Sequence, residues 1–151
     1  LYLLQRGSYT PQQLNDVLNK ESGLKGISGQ SSDMRAILQA RSAGDVRARL
    51  AFDMYAHRLR ECLGSMLAVL GGLDALVFSG GVGEHSPEIR EAACATLGFC
   101  GVTLDQQKNA QAVADQDIAA QDAAVRVLVL QAQEDWMIAC ECWRLAGEAN
   151  T

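Results

Sequence analysis

Asp74-Ala-Leu-Val-Phe-Ser-Gly-Gly-Val-Gly-Glu-His-Ser-Pro-Glu88 decides how the chain is read, because an apolar run stops there in a glycine cluster and a helix start follows at once. Ala75 to Phe78 has the length and apolarity of a fully buried strand. Gly80, Gly81 and Gly83 free the backbone for positive φ and for close approach to a ligand, so they predict a tight loop. Ser86-Pro87 reads as an N-cap followed by proline at the first helical position. Strand, loop and helix in this order present backbone N–H groups at a helix N-terminus, where anionic and nucleotide ligands tend to sit.

Downstream, a helix is expected from Pro87 to about Leu97, then a strand or strand edge over Cys100 to Leu104 and a short helical stretch from Asp105. Residues 110–124 lack periodicity and predict an irregular connection. Val125-Arg-Val-Leu-Val-Leu130 predicts a second strand, and a closing helix from about Glu134 to Ala146 carries Trp136, Ala139, Cys140 and Trp143 along one side. Core packing is the expected role of Trp136, Trp143, Met54 and Met66, and the cysteines read as small buried hydrophobes.

Upstream, Thr10-Pro11-Gln12-Gln13 is a capping signal for a short helix to about Lys20 with Leu14, Val17 and Leu18 on one face. Residues 21–32 hold three glycines and four serines and predict a structured loop. Ser32 is the expected cap of a helix from Asp33, with Met34, Ile37 and Leu38 inward. Ser42-Ala-Gly-Asp45 reads as a capping box opening the longest helix, whose expected inward face runs through Val46, Leu50, Met54, Leu59, Cys62, Leu63, Met66, Leu67 and Leu70. Strands followed by helices rather than hairpins predict an α/β fold with a mixed, partly parallel sheet and packed helices.

The chain has 151 residues, enough to bury a core, with a formal net charge of -5 and 48% hydrophobic residues. That acidic balance argues against nucleic acid as a partner, since phosphate backbones are bound by clustered Lys and Arg. No apolar run reaches membrane-spanning length. Five cysteines at 62, 94, 100, 140 and 142 form no Cys-x-x-Cys pair, so reduced thiols and a cytoplasmic setting are expected. The start, Leu1-Tyr-Leu-Leu-Gln-Arg6, has no Met and no basic leader, and is expected to lie in the last turn of a helix in mid-protein.

Two readings of the glycine stretch compete. Gly81-Val-Gly83-Glu-His-Ser86 is close to a dinucleotide fingerprint, with Asp105 standing after an expected second strand where an acidic ribose ligand would be, which makes an NAD-binding Rossmann-type fragment the alternative. Against it, the third glycine is replaced by Ser86, and Glu84 would place a carboxylate where a pyrophosphate must sit. A loop carrying Glu84 suits a sugar hydroxyl or a base edge better than a phosphate. A glycine turn serving only strand-to-helix geometry, in a dimerisation or scaffold module, is the third reading.

Three stretches in order narrow the choice: Gly26-Ile-Ser-Gly-Gln-Ser-Ser-Asp-Met-Arg35, Phe78-Ser-Gly-Gly-Val-Gly-Glu-His-Ser-Pro-Glu-Ile-Arg90 and Leu130-Gln-Ala-Gln-Glu-Asp-Trp-Met-Ile-Ala139. Together they resemble successive motifs of the acetate kinase family, and the resemblance covers nearly the whole chain. It implies the C-terminal, ribonuclease-H-like domain of the actin-like ATPase superfamily over residues 1–151, incomplete relative to a two-domain kinase that passes the γ-phosphoryl of ATP reversibly to acetate. Propionate kinase is the near alternative.

Carried over residue by residue, the resemblance implies nucleotide contacts at Asp33, Met34 and Arg35. There, Met34 would lie against a flat base, and Asp33 and Arg35 would hydrogen-bond its edges or the ribose. It implies an adenosine site at Gly81, Val82, Gly83, Glu84 and His85. Position 85 is often Asn in relatives, so His85 points to an altered nucleotide preference. Glu134 matches the family's acidic residue that positions Mg2+, although Ala132-Gln133-Glu134-Asp135 stands where relatives commonly have Thr-Asn-Glu-Glu. ATP/ADP and Mg2+ are therefore the implied ligands, a short-chain carboxylate the acceptor, and a homodimer the implied assembly. The family's catalytic arginines, acetate pocket and phosphate loops match nothing here, so no catalytic residue is expected in the chain and the chain alone is expected to be inactive.

Overall fold

The computed structural model describes residues 2–148, which divide into two units at the junction of Val69 and Leu70. Leu1 of the expected N-terminal helical turn lies outside the described residues, and α1 runs Tyr2–Gln5.

In the first unit, α2 (Pro11–Asp16) starts as expected. Thr10 Oγ1 accepts the Gln13 N–H at 3.2 Å and Gln13 Oε1 accepts the Thr10 N–H at 2.9 Å, a reciprocal capping box. The helix continues as a π-helical turn, Val17–Glu21. The glycine- and serine-rich segment is helical where a loop was expected, as α3 (Gly23–Ser28). Two of its three glycines sit at the ends: Gly23 opens the helix with φ +60°, and Gly29 closes it with φ +73° and an N–H donated to Lys25 O at 2.7 Å. Arg47 then takes the last carbonyls, donating from Nε to Ile27 O at 2.9 Å and from Nη2 to Gly26 O at 3.1 Å.

Helix α4 (Met34–Ser42) is capped by Asp33 rather than Ser32, since Asp33 Oδ1 accepts the Arg35 N–H at 2.9 Å. Helix α5 (Val46–Leu70) is capped by Asp45, which accepts the Ala48 N–H at 2.8 Å, while the Ser42 hydroxyl turns back to Gln39 O. The expected capping box is therefore absent. The buried face of α5 is also not the one its large residues mark: Ala48, Ala51, Phe52 and Ala56 are buried, whereas Leu50 and Met54 are about half exposed. Small alanines allow close approach, and the Arg41 guanidinium lies over the Phe52 ring at 4.0 Å.

The second unit is built on a three-stranded sheet of order β1-β3-β2, with β1 at Ala75–Phe78, β2 at Gln116–Asp117 and β3 at Arg126–Val129. Strands β1 and β3 are parallel and paired Ala75↔Arg126 through Phe78↔Val129, and β2 is antiparallel to β3. The expected mixed, partly parallel sheet is present. Strand β1 is not fully buried, however. Leu76 and Phe78 point inward while Val77 is 48% exposed, and β3 buries Val127 and Val129 in the same alternation.

After β1 come α6 (Gly80–His85), α7 (Pro87–Cys94), a 3-10 turn (Gly98–Cys100) and α8 (Gln106–Ala110). The strand expected at Cys100–Leu104 reduces to one bridge between Leu104 and Ala119. The stretch read as irregular holds β2 and the buried Ile118 and Ala119. Helix α9 (Glu134–Glu148) closes the described chain, with Trp136 65% and Trp143 84% exposed, so the tryptophans are not core residues; nor is Met54 or Met66. Of the cysteines only Cys94 is buried, and burial pushes its thiol up to about 12; Cys62, Cys140 and Cys142 are exposed.

Candidate functional site

Because β1 and β3 are adjacent and parallel, their C-terminal ends open on the same edge of the sheet, the usual place for a ligand in an α/β fold. Each strand hands its chain to a helix there: β1 to α6 through Ser79, and β3 to α9 through residues 130–133. Between these connections lies a cavity of about 550 Å³, lined by Gly80, Gly81, Glu84 and His85 on one side and by residues 131–136 on the other.

The glycine stretch is a short helix, not the loop expected from its composition. One glycine there needs its freedom: Gly80 has φ +72° directly after the N-cap residue Ser79. At Gly83 the close approach is internal, since an added Cβ would stand 3.3 Å from the Phe78 carbonyl carbon, and the helix thus lies against the end of its own strand. At Gly81 nothing lies within 4 Å, and the space opens to the cavity. Val82 and Gly83 do not line the cavity, whereas Gly81, Glu84 and His85 do.

Glu84 joins the two walls. Its Oε1 accepts the N–H of Gly80 at 2.7 Å and the N–H of Ala132 at 2.9 Å, the latter 48 residues further along the chain than Glu84. The first N–H of α6 is thus taken by the chain's own carboxylate. That removes the donor a pyrophosphate cradle would need and weighs against the dinucleotide reading. Asp105 tells the same way, because its carboxylate caps α8 by accepting from Gln107 N and Lys108 N, each at 3.0 Å, with no preceding strand to place it beside a ribose. At the far end of α6, the buried Arg90 donates to Gly83 O and Glu84 O, each at 2.8 Å.

On the opposite wall, Glu134 and Asp135 occupy the exposed first turn of α9, where carboxylates also suit the helix dipole. Among the described residues no three His, Cys, Asp or Glu side chains converge to hold a metal ion. Two hard carboxylates beside an open cavity nevertheless fit Mg2+, which is commonly held by one or two carboxylates together with waters and substrate phosphates.

Asp33, Met34 and Arg35 belong to the first unit. Asp33 and Arg35 are exposed and paired, Arg35 Nη2 lying 2.7 Å from Asp33 Oδ2, and the guanidinium with the Arg35 N–H holds the Asp33 carboxyl below its usual range. Met34 is buried at 5% exposure and shares its inward face with Ile37, so it anchors the first turn of α4 and does not present a surface to a base. Upstream, Ser28 Oγ accepts the N–H groups of Gln30 and Ser31, and Gln30 Nε2 donates to Asp45 Oδ2 at 2.7 Å, which fixes the approach to this turn.

Residues that the sequence reading did not place at the cavity include Gln131, Gln133 and Trp136. The available signal was topological: once β1 and β3 are taken as parallel neighbours, the segment after β3 must face the segment after β1. Among the described residues no helix is long and apolar enough to cross a membrane.

A family model described as the Acetokinase family matches residues 1–140. An acetate kinase of Nostoc punctiforme is 58% identical over 145 residues, which is 96% of this chain and 36% of that relative. Among solved structures, the acetate kinase of Porphyromonas gingivalis is 35% identical with a TM-score of 0.85 over 93% of this chain and 35% of its own. A propionate kinase from Francisella tularensis is 33% identical with a TM-score of 0.80 over 91% of this chain and 35% of its own. The chain thus spans little more than a third of the length of the relatives it matches.

Proposed function

The chain belongs to the acetokinase family, and from that premise we propose that it is the nucleotide-holding C-terminal part of a two-domain kinase that transfers the γ-phosphoryl of ATP reversibly to acetate, giving acetyl phosphate and ADP. The observation that carries this reading is the cavity at the ends of β1 and β3, where Gly81, Glu84 and His85 face Glu134 across a single space. On this reading the adenosine lies against α6. Gly81 leaves room for it and His85 offers a ring nitrogen to the base or sugar. Oε2 of Glu84 accepts from a ribose hydroxyl while Oε1 stays committed to the backbone. Val82 and Gly83 contribute through the backbone of α6, Gly83 by seating it against β1. Within the first unit taken by itself, the family resemblance assigns nucleotide contact to Asp33, Met34 and Arg35, of which Asp33 and Arg35 are exposed and Met34 is buried beneath them.

Glu134, with Asp135 beside it, would hold Mg2+. When bound, that ion supplies charge neutralisation on the β and γ oxygens and orients them for in-line transfer. The chain's own residues bind and orient, and none of them is assigned to the reacting atoms. The reading further includes a ribonuclease-H-like domain of the actin-like ATPase superfamily, a cytoplasmic homodimer, and no activity for this chain alone. Likeness to a propionate kinase structure keeps a longer short-chain carboxylate as a second acceptor.

The test is calorimetric titration of the chain with ATP, ADP and NAD in the presence and absence of Mg2+, beside an acetyl phosphate assay. Binding of ATP and ADP that tightens with Mg2+, and no turnover, is the expected result. NAD binding tighter than either adenosine nucleotide would overturn the reading.

A further inference from the structure

Arg90 is the largest fully buried side chain among the described residues, at 1% exposure. All four of its hydrogen bonds go to uncharged acceptors: Nε to Asn109 Oδ1 at 2.8 Å, Nη2 to Asn109 O at 2.7 Å, and Nη1 to Gly83 O and Glu84 O, each at 2.8 Å. Burying a guanidinium with no carboxylate bonded to it is costly, and an apolar side chain of similar size would fill the volume without that cost. The position of the donors shows what the charge does instead.

Helix α6 cannot hold itself. It has six residues, three of them glycine, and is too short for cooperative helix formation. Its shape is therefore imposed from its ends. At the start, Glu84 accepts the Gly80 N–H; at the end, the Gly83 and Glu84 carbonyls carry the negative pole of the helix and both are met by Arg90. Arg90 is itself oriented by Asn109, which is 2% exposed, accepts through both its side-chain and main-chain oxygens, and donates from Nδ2 to Pro87 O at 3.0 Å. A planar fork fixed at Nε and Nη2 has little freedom left at Nη1.

We infer that Arg90 and Asn109 are positioning residues of the nucleotide site: Asn109 on α8 locks the Arg90 guanidinium, and Arg90 sets the last turn of α6 so that Gly81 and His85 face the cavity. The inference rests on the proposed nucleotide reading for its functional part, and its geometric part can be measured without any nucleotide.

The experiment compares Arg90→Lys, Asn109→Ala and Asn109→Asp with the unaltered chain, using amide hydrogen exchange over residues 80–86 and ADP titration with Mg2+, both below each variant's melting temperature. Lysine cannot span four acceptors, so Arg90→Lys is expected to speed exchange there at least tenfold and to weaken ADP binding at least tenfold while circular dichroism stays native. Asn109→Ala is expected to do the same more mildly, by about threefold. Asn109→Asp keeps an acceptor for Arg90 Nε but loses the Nδ2 donor to Pro87 O, so it is expected to recover part of both losses relative to Asn109→Ala. If Arg90→Lys does not fold, the asparagine pair decides alone. Variants that only melt earlier, with unchanged exchange over 80–86 and unchanged ADP affinity, would reduce Arg90 to a space-filling role and overturn the inference. An unaltered chain that binds no ADP would sink the nucleotide reading instead, leaving the exchange result to judge the positioning.

Discussion

Glu84→Ala is the perturbation whose consequence can be worked out furthest. One carboxylate oxygen accepts two backbone N–H groups, from Gly80 at 2.7 Å and from Ala132 at 2.9 Å. Hydrogen bonds to a charged group contribute about 1.5 to 3 kcal/mol each. The oxygen is shared and both donors are half-buried, so water can partly replace it; a joint loss of about 2 kcal/mol is the reasonable value. Glu84→Gln keeps an oxygen acceptor but no charge, and charge roughly doubles such bonds, so it should lose about 1 kcal/mol. In a unit of this size each kcal/mol moves the melting temperature by roughly 4 to 8 °C, which gives about 8 to 16 °C for alanine and half that for glutamine. Locally, 2 kcal/mol corresponds to roughly thirtyfold faster exchange at the Gly80 and Ala132 amides. Calorimetry and amide exchange read the two scales. Alanine and glutamine variants that melt alike, or amide exchange at Ala132 that matches the unaltered chain, would refute the bridge as a stabilising element.

Two neighbouring glycines should behave oppositely. A Cβ added at Gly81 meets no atom within 4 Å, so Gly81→Val should fold while losing about tenfold in ADP affinity, whereas a Cβ at Gly83 already stands 3.3 Å from the Phe78 carbonyl carbon, so Gly83→Val should cost about 1 to 3 kcal/mol of stability. ADP binding unchanged in Gly81→Val would remove the ligand from that position. Cys94, with its thiol raised to about 12 by burial, should resist iodoacetamide at about pH 8 while Cys62, Cys140 and Cys142 are alkylated, as peptide mass spectrometry would show. Asp45 is held below its ordinary value of 3.8, first by the Ala48 N–H, so its share of stability is intact above that pH and is lost as the pH falls through the lowered value. Below pH 3.8 the far-UV signal of Asp45→Asn should therefore decline less steeply than that of the unaltered chain, because asparagine caps without titrating; identical acid curves would exclude Asp45 as a contributor.

Much of the architecture was legible where a residue has a single physical use. Thr10 and Gln13 made the box they spell, Ser86 and Pro87 opened α7, and the two apolar runs became parallel neighbours. What misled was composition without position. By number alone the glycines of residues 21–32 are breakers, yet Gly23 and Gly29 mark the ends of a helix whose carbonyls Arg47 collects from 20 residues away. The glycines after β1 spell a loop by composition, yet Glu84 and Arg90 impose a helix on them. In α5, large side chains drew the inward face through Leu50 and Met54, when Ala48, Ala51 and Ala56 carry it because small residues allow closer packing. The site follows the same rule. The resemblance supplied Gly81, Glu84, His85 and Glu134, and the cavity gathers those four, while the internal use of Glu84 Oε1 depends on a partner 48 positions away that no local pattern announces.

The Glu84 bridge also sets an order of events during synthesis. Gly80 and Glu84 leave the ribosome early, but the second N–H that Glu84 accepts belongs to Ala132, and among the described residues β1 pairs with β3 alone. Until Ala132 is made, α6 has only the Gly80 bond at its start, and half of the cavity wall does not exist. Pairing β1 with β3 closes a long stretch that the Arg90–Asn109 contact only partly shortens, so much of the loop-closure cost of the second unit falls on this step. A nascent chain halted before residue 132 would thus carry every glycine of the motif and still have no pocket.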